Sequence, residues 1–411
     1  MLLLIKADVI VCGAGPAGIA AAIQAAKAGA DTLLIEKDAT VGGMSTLGMI
    51  NVFCGVSKCY LFNKILREKI IKDDPWGRLP YDPEEMVQFY IRELDEAGVR
   101  VLLGVKVADV KVEDKRIVDV SIATSMGMEH VSAPMWIDAT GDGLLAYLAG
   151  VPFHLGRETD GAMQPMTMMV MLSNVYLPSR HYLTTVPGLP EKMEAFGKTL
   201  PGTAGHIIVI PTTVPGNAII NMTNCGFVDG TDIWDYTKAQ MICRKQVYPI
   251  VKFLRENAPG CENCFVLRSA AYAGIRESRH FKGKATLTEE DILAGRVFDD
   301  WVVTGAKMGL NVHNTQGSGM SSYNRPAPME YTIPYGAYIT DEVDNLFLSG
   351  RMISGTHVAH GSYRAMSICM AGGQAVGGAA ALCVQNGWKV DELPVGQLQD
   401  LLRQHDVPDP A

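Results

Sequence analysis

The feature that most constrains this chain is a glycine-rich turn between two apolar segments near the N-terminus. A short apolar run leads into the Gly-x-Gly-x-x-Gly turn at residues 13–18, an alanine-rich segment follows, and a second apolar run ends at Glu36. In such a βαβ unit Gly13 makes the tight turn, Gly15 lets backbone approach a pyrophosphate, and Gly18 lets the helix pack on the strand. The N-terminus of the helix favours negative charge because its N–H groups are unpaired and its dipole is positive there.

The residues around this turn predict a dinucleotide site. Glu36 follows at the distance at which an acid accepts the ribose hydroxyls of a dinucleotide. A glycine-rich turn that binds nothing is the alternative, but the strand before it, the helix after it and the acid at the end favour binding. The residues expected to contact the dinucleotide here are Gly13, Gly15, Pro16, Ala17, Gly18, Glu36 and Lys37.

A second glycine pair directly after the acid points to a flavin. Gly42 and Gly43 allow another close backbone approach, which a plain nicotinamide dehydrogenase does not need, and Met44 and Ser45 continue this segment. The pair resembles the extended fingerprint of the two-domain FAD enzymes of the glutathione-reductase-like superfamily. Two later segments resemble the other FAD motifs of that superfamily, and their expected contact residues are Ala139, Thr140, Gly141, Gly350 and Arg351.

Small residues near the C-terminus predict a helix that begins beside the flavin. The run from Ala365 to about Gln385 contains many glycines and alanines, which permit close packing against another backbone. A helix N-terminus at the pyrimidine edge of the flavin would stabilise negative charge on the reduced ring. We therefore expect the residues at this junction to bind the cofactor and tune its potential; they are Gly361, Ser362, Arg364 and Ala365.

Two strings narrow the resemblance to one family. Residues 274–279 read Gly-Ile-Arg-Glu-Ser-Arg, and residues 357–364 read His-Val-Ala-His-Gly-Ser-Tyr-Arg. With them the whole chain resembles the "FAD-dependent oxidoreductase" family of mostly bacterial flavoproteins. The chain departs from the family pattern at 310–313, where an aspartate often replaces Asn311, and at 334–337, where an arginine is common. Both departures lie in the expected substrate region.

The pattern of segments predicts an α/β fold in which a Rossmann-like FAD-binding domain, with a βαβ unit and a three-stranded meander, carries an inserted mixed α+β substrate domain. A helix is expected at residues 81–97 and the meander at 99–137, where Val107 would meet the adenine. Strands at 207–210 and 218–222 and a long helix at 232–256 belong to the second domain. The expected boundaries are 1–154 for the first part of the FAD domain, 155–335 for the substrate domain and 336–411 for the returning part.

The charged string at 274–280 supplies the first catalytic candidates. If the string is extended, Arg276 and Ser278 face one side while Glu277 and Arg279 face the other. Glu277 could then orient Arg279 and leave Arg276 free for a substrate carboxylate or hydroxyl, which a guanidinium binds well. A salt bridge between the two domains is the alternative.

Histidines just before the flavin-facing helix are the second set of candidates. His357 or His360 could take up a proton while a hydride leaves the substrate, or either ring could only hydrogen-bond the cofactor. His313 is a weaker third candidate. The histidines and Glu277 lack a recognised metal-binding spacing, so no metal site is expected.

Cysteine usage leaves redox alternatives open. The nine cysteines show no paired rhythm and suit a reducing cytoplasm. Cys54 and Cys59 have the spacing of the redox pair in flavin disulfide reductases, but no second glycine motif for NADPH follows. Cys261 and Cys264 lack the partner pair that a zinc site needs.

Composition excludes some partners. The net charge is −8 and the pI about 5.6, whereas nucleic-acid binding needs a basic face. No apolar segment is expected to reach the ~18 residues of a membrane span.

Together these patterns predict a cytoplasmic flavoenzyme that transfers a hydride between the N5 atom of FAD and a small polar organic substrate held between the domains. A nicotinamide-dependent dehydrogenase and a flavin-bound electron-relay subunit serving a partner protein are the alternatives.

Overall fold

The computed structural model of the protein describes residues 4–72 and 80–410. The strands of these residues are β1 (Leu4–Lys6), β2 (Val9–Cys12), β3 (Thr32–Glu36), β4 (Arg100–Leu103), β5 (Lys106–Glu113), β6 (Arg116–Thr124), β7 (Gly127–Ser132), β8 (Met135–Asp138), β9 (Phe153–Leu155), β10 (Val170–Ser173), β11 (Val209–Pro211), β12 (Asn217–Ile220), β13 (Phe265–Ser269), β14 (Arg279–Phe281), β15 (Trp301–Ala306), β16 (Tyr331–Pro334) and β17 (Leu346–Leu348).

The helices are α1 (Pro16–Lys27), α2 (Tyr60–Arg67), α3 (Pro83–Glu96), α4 (Leu144–Leu148), α5 (Tyr182–Thr185), α6 (Leu189–Gly197), α7 (Ile233–Asn257), α8 (Glu289–Ala294), α9 (His357–Tyr363), α10 (Met366–Asn386) and α11 (Val395–Gln404). Short 3₁₀ turns lie at Gly43–Ser45 and Tyr335–Tyr338.

A five-stranded parallel sheet forms the centre of the larger core, in the order β17-β8-β2-β3-β4. Val9 of β2 lies level with Thr32 of β3 on one side and with Met135 of β8 on the other. Every residue of β2, β3, β8 and β17 is buried. This burial is typical of a parallel sheet covered on both faces, and it confirms the Rossmann-like fold.

Helix α10 packs closely on α1, as its small residues predict. A Cβ atom at Gly373 would lie 2.0 Å from the carbonyl oxygen of Ala17, and one at Gly377 would lie 2.2 Å from that of Ala21. Only glycine permits this approach. The helix is also long and apolar enough to cross a membrane, with a mean hydropathy of 1.5, so the expectation that no segment reaches that length is wrong. The apolar length of α10 reflects its place in the core, because 83% of its apolar window is buried inside the protein.

The meander forms a second sheet beside the first. Strands β5, β6 and β7 are antiparallel neighbours, and their turns fall at the predicted positions around 113–116 and 125–127. Strand β1 pairs with β7 in parallel, so this sheet has the order β1-β7-β6-β5. The predicted helix at 81–97 is α3, and the side chain of Asp82 caps it by accepting from the backbone of Glu84 and Glu85.

The inserted part has its own antiparallel sheet, in the order β11-β12-β10-β13. The strands expected at 207–210 and 218–222 are β11 and β12, in which Ile210 lies opposite Ile219. The expected long helix is α7, which Asp232 caps. Apolar residues of α7 and this sheet form a separate core, so the inserted part folds around its own interior.

Residues after about 280 return to the larger core. Phe281, Trp301 and Ile333 all pack in it, although the sequence pattern places them in the substrate domain. We therefore propose that the substrate domain ends near residue 280. The boundaries 1–154, 155–335 and 336–411 stay a prediction.

Candidate active site

The glycine turn forms a cradle that fits a dinucleotide. Gly13 has a φ of +104°, and a Cβ atom there would lie 2.4 Å from the carbonyl oxygen of Ala139. A Cβ atom at Gly18 would lie 1.8 Å from the carbonyl oxygen of Gly13. At Gly15, by contrast, it would have no neighbour within 4 Å. The first and last glycines thus close the turn, and the middle one leaves space at the N-terminus of α1 for a pyrophosphate.

Glu36 is held by backbone at the end of β3. Its Oε2 accepts from the N–H of Ala14 at 2.5 Å, and its Oε1 accepts from the N–H of Asp38 at 2.9 Å. Burial raises the pKa of Glu36, and these two hydrogen bonds only partly offset the effect. Each oxygen retains a lone pair, so acceptance of ribose hydroxyls stays a prediction. Lys37 bonds to Asp38 at 2.9 Å.

Two FAD motifs predicted separately meet in the structure. The side chain of Arg351 donates to the carbonyl of Gly141 and forms a salt bridge of 2.6 Å with Asp142. Buried Asp138 fixes the turn that contains Gly141 by accepting from the N–H of Thr140 at 2.9 Å. Asp138 and Asp142 were not among the predicted site residues, although both lie within the FAD motif at residues 136–142.

Three further predicted cofactor residues are held by packing or hydrogen bonds. Met44 packs on Gly274, where a Cβ atom would lie 2.5 Å from the methionine Cε. Ser362 is fully buried and donates from its hydroxyl to the carbonyl of Met308 at 2.6 Å. Val107 is also buried. Contacts of Ser362 and Val107 with the cofactor stay predictions.

The most concentrated polar group outside the cradle surrounds Glu277. His357 Nδ1 lies 2.6 Å from Oε1 of Glu277, and His280 Nε2 lies 3.0 Å from the same oxygen. The backbone N–H of Gln164 donates to Oε2 at 2.9 Å. Burial alone would raise the pKa of Glu277, but the hydrogen bonds from His280 and His357 outweigh it and hold this pKa well below its usual value. Glu277 is therefore a buried carboxylate that is ionised at neutral pH.

Tertiary pairing assembles this group, here called the Glu277 cluster (Glu277, His280, His357, His360 and Gln164). Strand β14 pairs with β9 and places His280 on His154, with ring centroids 4.9 Å apart. His357 and His360 lie on α9, one turn apart. The structure thus brings together both predicted histidines with the predicted glutamate.

Gln164 fixes the tautomer of His360. Its Oε1 accepts from the backbone N–H of His313 at 2.9 Å, so its amide nitrogen must face His360 Nδ1, 3.4 Å away. The Nδ1 atom is then an acceptor and the proton lies on Nε2. Burial holds the pKa of His360 well below its usual value, so the ring is neutral at neutral pH. His360 is therefore a hydrogen-bond donor from Nε2.

The expected role of Glu277 toward Arg279 is wrong. Arg279 donates to the carbonyl of Asp142 at 2.9 Å and stacks on Tyr147, 4.2 Å from the ring centroid. Ser278 bonds to the side chain of Asp142 at 2.6 Å, so it faces the same way as Arg279. The expected alternation of side chains between two faces fails because residues 275–278 form no strand. The alternative, a salt bridge between the two domains, stays a prediction; Glu277 bonds to His280 and His357.

Part of the hydrogen-bonding capacity of Arg276 is used within the protein. It donates to the carbonyl of Pro165 and, at 3.2 Å, to the hydroxyl of Thr167, both in the inserted part. A role in binding substrate stays a prediction.

Three members of the cluster could also hold a metal. Glu277, His280 and His360 each offer a donor atom within 4.8 Å of the others, and all are buried. The sequence spacing gave no sign of this because β14 and α9 are far apart in the chain. The absence of a bound metal stays a prediction.

The cysteines of the two pairs differ in their surroundings. Cys54 is exposed while Cys59 is buried, and burial raises the pKa of Cys59 to about 12. Cys261 and Cys264 pack in the core of the inserted part. Thiolate chemistry at Cys59 is thereby disfavoured.

Comparison with known proteins decides the family. A model of the FAD dependent oxidoreductase family matches residues 8–402. The chain belongs to this family. It is accordingly an FAD-dependent oxidoreductase with FAD as its cofactor, and the glycine cradle fits that cofactor.

Two curated relatives of this oxidoreductase are thiamine thiazole synthases. Thiamine thiazole synthase of Saccharolobus islandicus is 30% identical over 158 residues, which cover 33% of this chain and 55% of the relative. That of Metallosphaera sedula is 33% identical over 146 residues, covering 33% and 54%. The chain spans about half the length of the curated relatives it matches.

Solved structures show the same fold. A geranylgeranyl bacteriochlorophyll reductase-like protein from Thermoplasma acidophilum has a TM-score of 0.52 at 15% identity, covering 98% of this chain and 84% of that one. A flavin-dependent brominase variant has a TM-score of 0.52 at 13% identity, covering 96% and 84%.

Proposed function

We propose that this FAD-dependent oxidoreductase oxidises or reduces a small polar organic molecule bound between the FAD domain and the inserted part, with the Glu277 cluster handling the proton. The observation that carries the proposal is the pairing of buried, ionised Glu277 with His357 at 2.6 Å. Bound FAD supplies the acceptor or donor of a hydride, at its N5 atom. The residues of the chain provide the binding, orientation and proton transfer.

The geometry supports different roles for the two histidines of α9. His357 directs Nδ1 at Glu277, so its Nε2 is the nitrogen that can take up a proton as a hydride leaves the substrate carbon. The carboxylate orients the ring and stabilises the imidazolium that forms, as in a histidine–carboxylate dyad. His360 donates from Nε2, so it suits a hydrogen bond to an oxygen on which negative charge develops.

The likeness to thiamine thiazole synthases covers only a third of the chain. It therefore carries no argument about the substrate. The solved structures with the same fold likewise range from a reductase-like protein to a brominase. Their names therefore indicate no common substrate.

Anaerobic reduction of the bound flavin tests the proposal. We would mix the holoenzyme with a panel of small hydroxy acids, amino acids and alcohols and follow loss of the flavin absorption. His357→Ala should lower the reduction rate about a hundredfold or more at unchanged flavin content. His181→Ala, at an exposed position in the inserted part, is the matched control.

Equal rates in wild type and His357→Ala would contradict the assigned base. Flavin that no small molecule reduces, but that a partner protein does, would instead favour an electron-relay subunit.

A further inference from the structure

Two half-buried arginines beside the Glu277 cluster form no salt bridge with a carboxylate of the described residues. Arg276 donates only to the carbonyl of Pro165 and the hydroxyl of Thr167, and Arg364 donates to the carbonyl of Asn311 at 2.7 Å. Within residues 4–72 and 80–410, neither guanidinium forms a salt bridge with a carboxylate. A buried cation normally has a paired anion, because transfer of a charge out of water is costly.

The charge of Glu277 raises the pKa of both arginines, but its carboxylate is not hydrogen-bonded to either guanidinium. Glu277 already accepts from His280, His357 and the backbone of Gln164. Burial and the charge of Arg364 lower the pKa of Arg276 to about 9, and burial lowers that of Arg364 to about 10. Both guanidiniums nevertheless remain protonated at neutral pH, so this part of the site carries excess positive charge.

Polar atoms around the two arginines also lack partners. Arg364 Nε, His313 Nδ1 and the side-chain oxygen of Asn311 are buried and make no hydrogen bond to the described residues. His313 lies close to both arginines, because its backbone N–H donates to Gln164, the neighbour of Pro165, and Arg364 donates to the carbonyl of Asn311. Burial, together with the charges of Arg276 and Arg364, holds the pKa of His313 well below its usual value. Since buried polar groups are normally hydrogen-bonded, these atoms are available to a polar ligand.

A cavity opens on the surface of the inserted part. Its volume is about 730 Å³, and its wall includes Glu191, Thr203, His206 and Asn314. His206 donates from Nε2 to the carbonyl of Asn221 at 2.9 Å, which leaves buried Nδ1 unpartnered among the described residues. Burial, together with the charge of Arg276, lowers the pKa of His206 to about 4.

We propose that Arg276 and Arg364, with His313, bind the carboxylate of a small organic acid, and that this acid is the substrate of the enzyme. The guanidiniums offer charge-assisted hydrogen bonds to the carboxylate. Gln164 joins this anion site to the proton-handling residues, since it accepts from the backbone of His313 and donates to His360. The inference rests on the proposed function and adds the chemical class of the substrate.

Binding of malonate tests the anion site without turnover. Malonate is titrated into the FAD-loaded protein at constant ionic strength, and the change in the flavin spectrum gives the dissociation constant. Neutral malonamide serves as the uncharged control ligand. Arg276→Met should weaken malonate binding about tenfold or more, in line with the loss of a charged hydrogen bond. Arg268→Met removes an exposed arginine of β13 and should leave it unchanged.

A second variant keeps the volume of the site. Asn311→Asp adds an internal anion beside Arg364, so it should weaken malonate binding while the protein stays folded and loaded with FAD. Equal binding of malonate and malonamide, or unchanged binding in both variants, would overturn the inference. Malonate binding only to flavin-free protein would also overturn it, because the arginines would then serve the cofactor.

The proposed function is tested separately. If malonate does not bind, but neutral alcohols or amines still bleach the flavin in a His357-dependent manner, the substrate class is wrong while the proposed function stands.

Discussion

Replacement of Glu277 by glutamine removes one charge from the most buried polar group of the site. Three donors converge on this carboxylate, from His357 at 2.6 Å, His280 at 3.0 Å and the backbone of Gln164 at 2.9 Å. A hydrogen bond to a charged group contributes about 1.5–3 kcal/mol and a neutral one about 0.5–1.5 kcal/mol. The amide can also accept at one end only, so if its oxygen takes the place of Oε1, which accepts from both histidines, the N–H of Gln164 must reorient or lose its partner.

From these values we expect Glu277→Gln to lower the free energy of unfolding by about 2–4 kcal/mol at neutral pH. Urea unfolding followed by tryptophan fluorescence measures it. Glu256→Gln is the control, since Glu256 is exposed and forms only a 3.9 Å pair with Lys252. Its effect should stay within about 0.5 kcal/mol.

The pH dependence gives an independent check with a definite sign. The folded-state pKa of Glu277 lies well below its usual value, which is about 4.3 in the unfolded chain. The contribution of the carboxylate is therefore fully present above about pH 4.3 and is lost as the pH falls through the folded-state pKa. The difference between wild type and Glu277→Gln should shrink in that acid window. A difference below about 0.5 kcal/mol at neutral pH, or one that grows in acid, would refute the reasoning.

Further predictions concern the cradle, the helix pair and metal. Gly18→Ala places a Cβ atom 1.8 Å from the carbonyl of Gly13 and should abolish FAD retention, as the flavin absorbance of the purified protein would show. Gly377→Ala meets the carbonyl of Ala21 at 2.2 Å and should destabilise the α1–α10 packing by about 1–3 kcal/mol in urea unfolding. Gly396→Ala, with no neighbour within 4 Å, is the control for both, and equal behaviour of all three proteins would contradict the packing argument. Metal analysis of protein purified without chelator should find no stoichiometric divalent ion, whereas one ion per chain lost in Glu277→Gln would show a metal site at the Glu277 cluster.

Local signals made the fold of the nucleotide-binding part predictable. The glycine turn specifies its own geometry, since only glycine tolerates the φ of +104° at Gly13 and the close approach at Gly18. Helices α3 and α7 carry aspartate caps that mark their starts in the sequence. The turns of the meander were likewise marked by charged residues or glycine.

The arrangement of the site was only partly predictable. His280 stood in the quoted string without a role, because its contact with Glu277 depends on how the chain turns before β14 pairs with β9. Gln164 gave no signal in the sequence, since a single amide in a loop is common. The pairing expected from strand alternation failed where no strand forms, and the apolar length of α10 could not by itself distinguish a core helix from a membrane span.

The absorption spectrum of the purified protein before and after acid precipitation tests most directly whether the cradle around Gly13, Gly15 and Gly18 holds FAD non-covalently. We predict a yellow protein that releases FAD into the supernatant in an amount equal to the protein. Flavin that remains in the pellet would contradict non-covalent binding and direct attention to residues 44–60. A colourless protein that takes up no added FAD would contradict the account of the site as a whole.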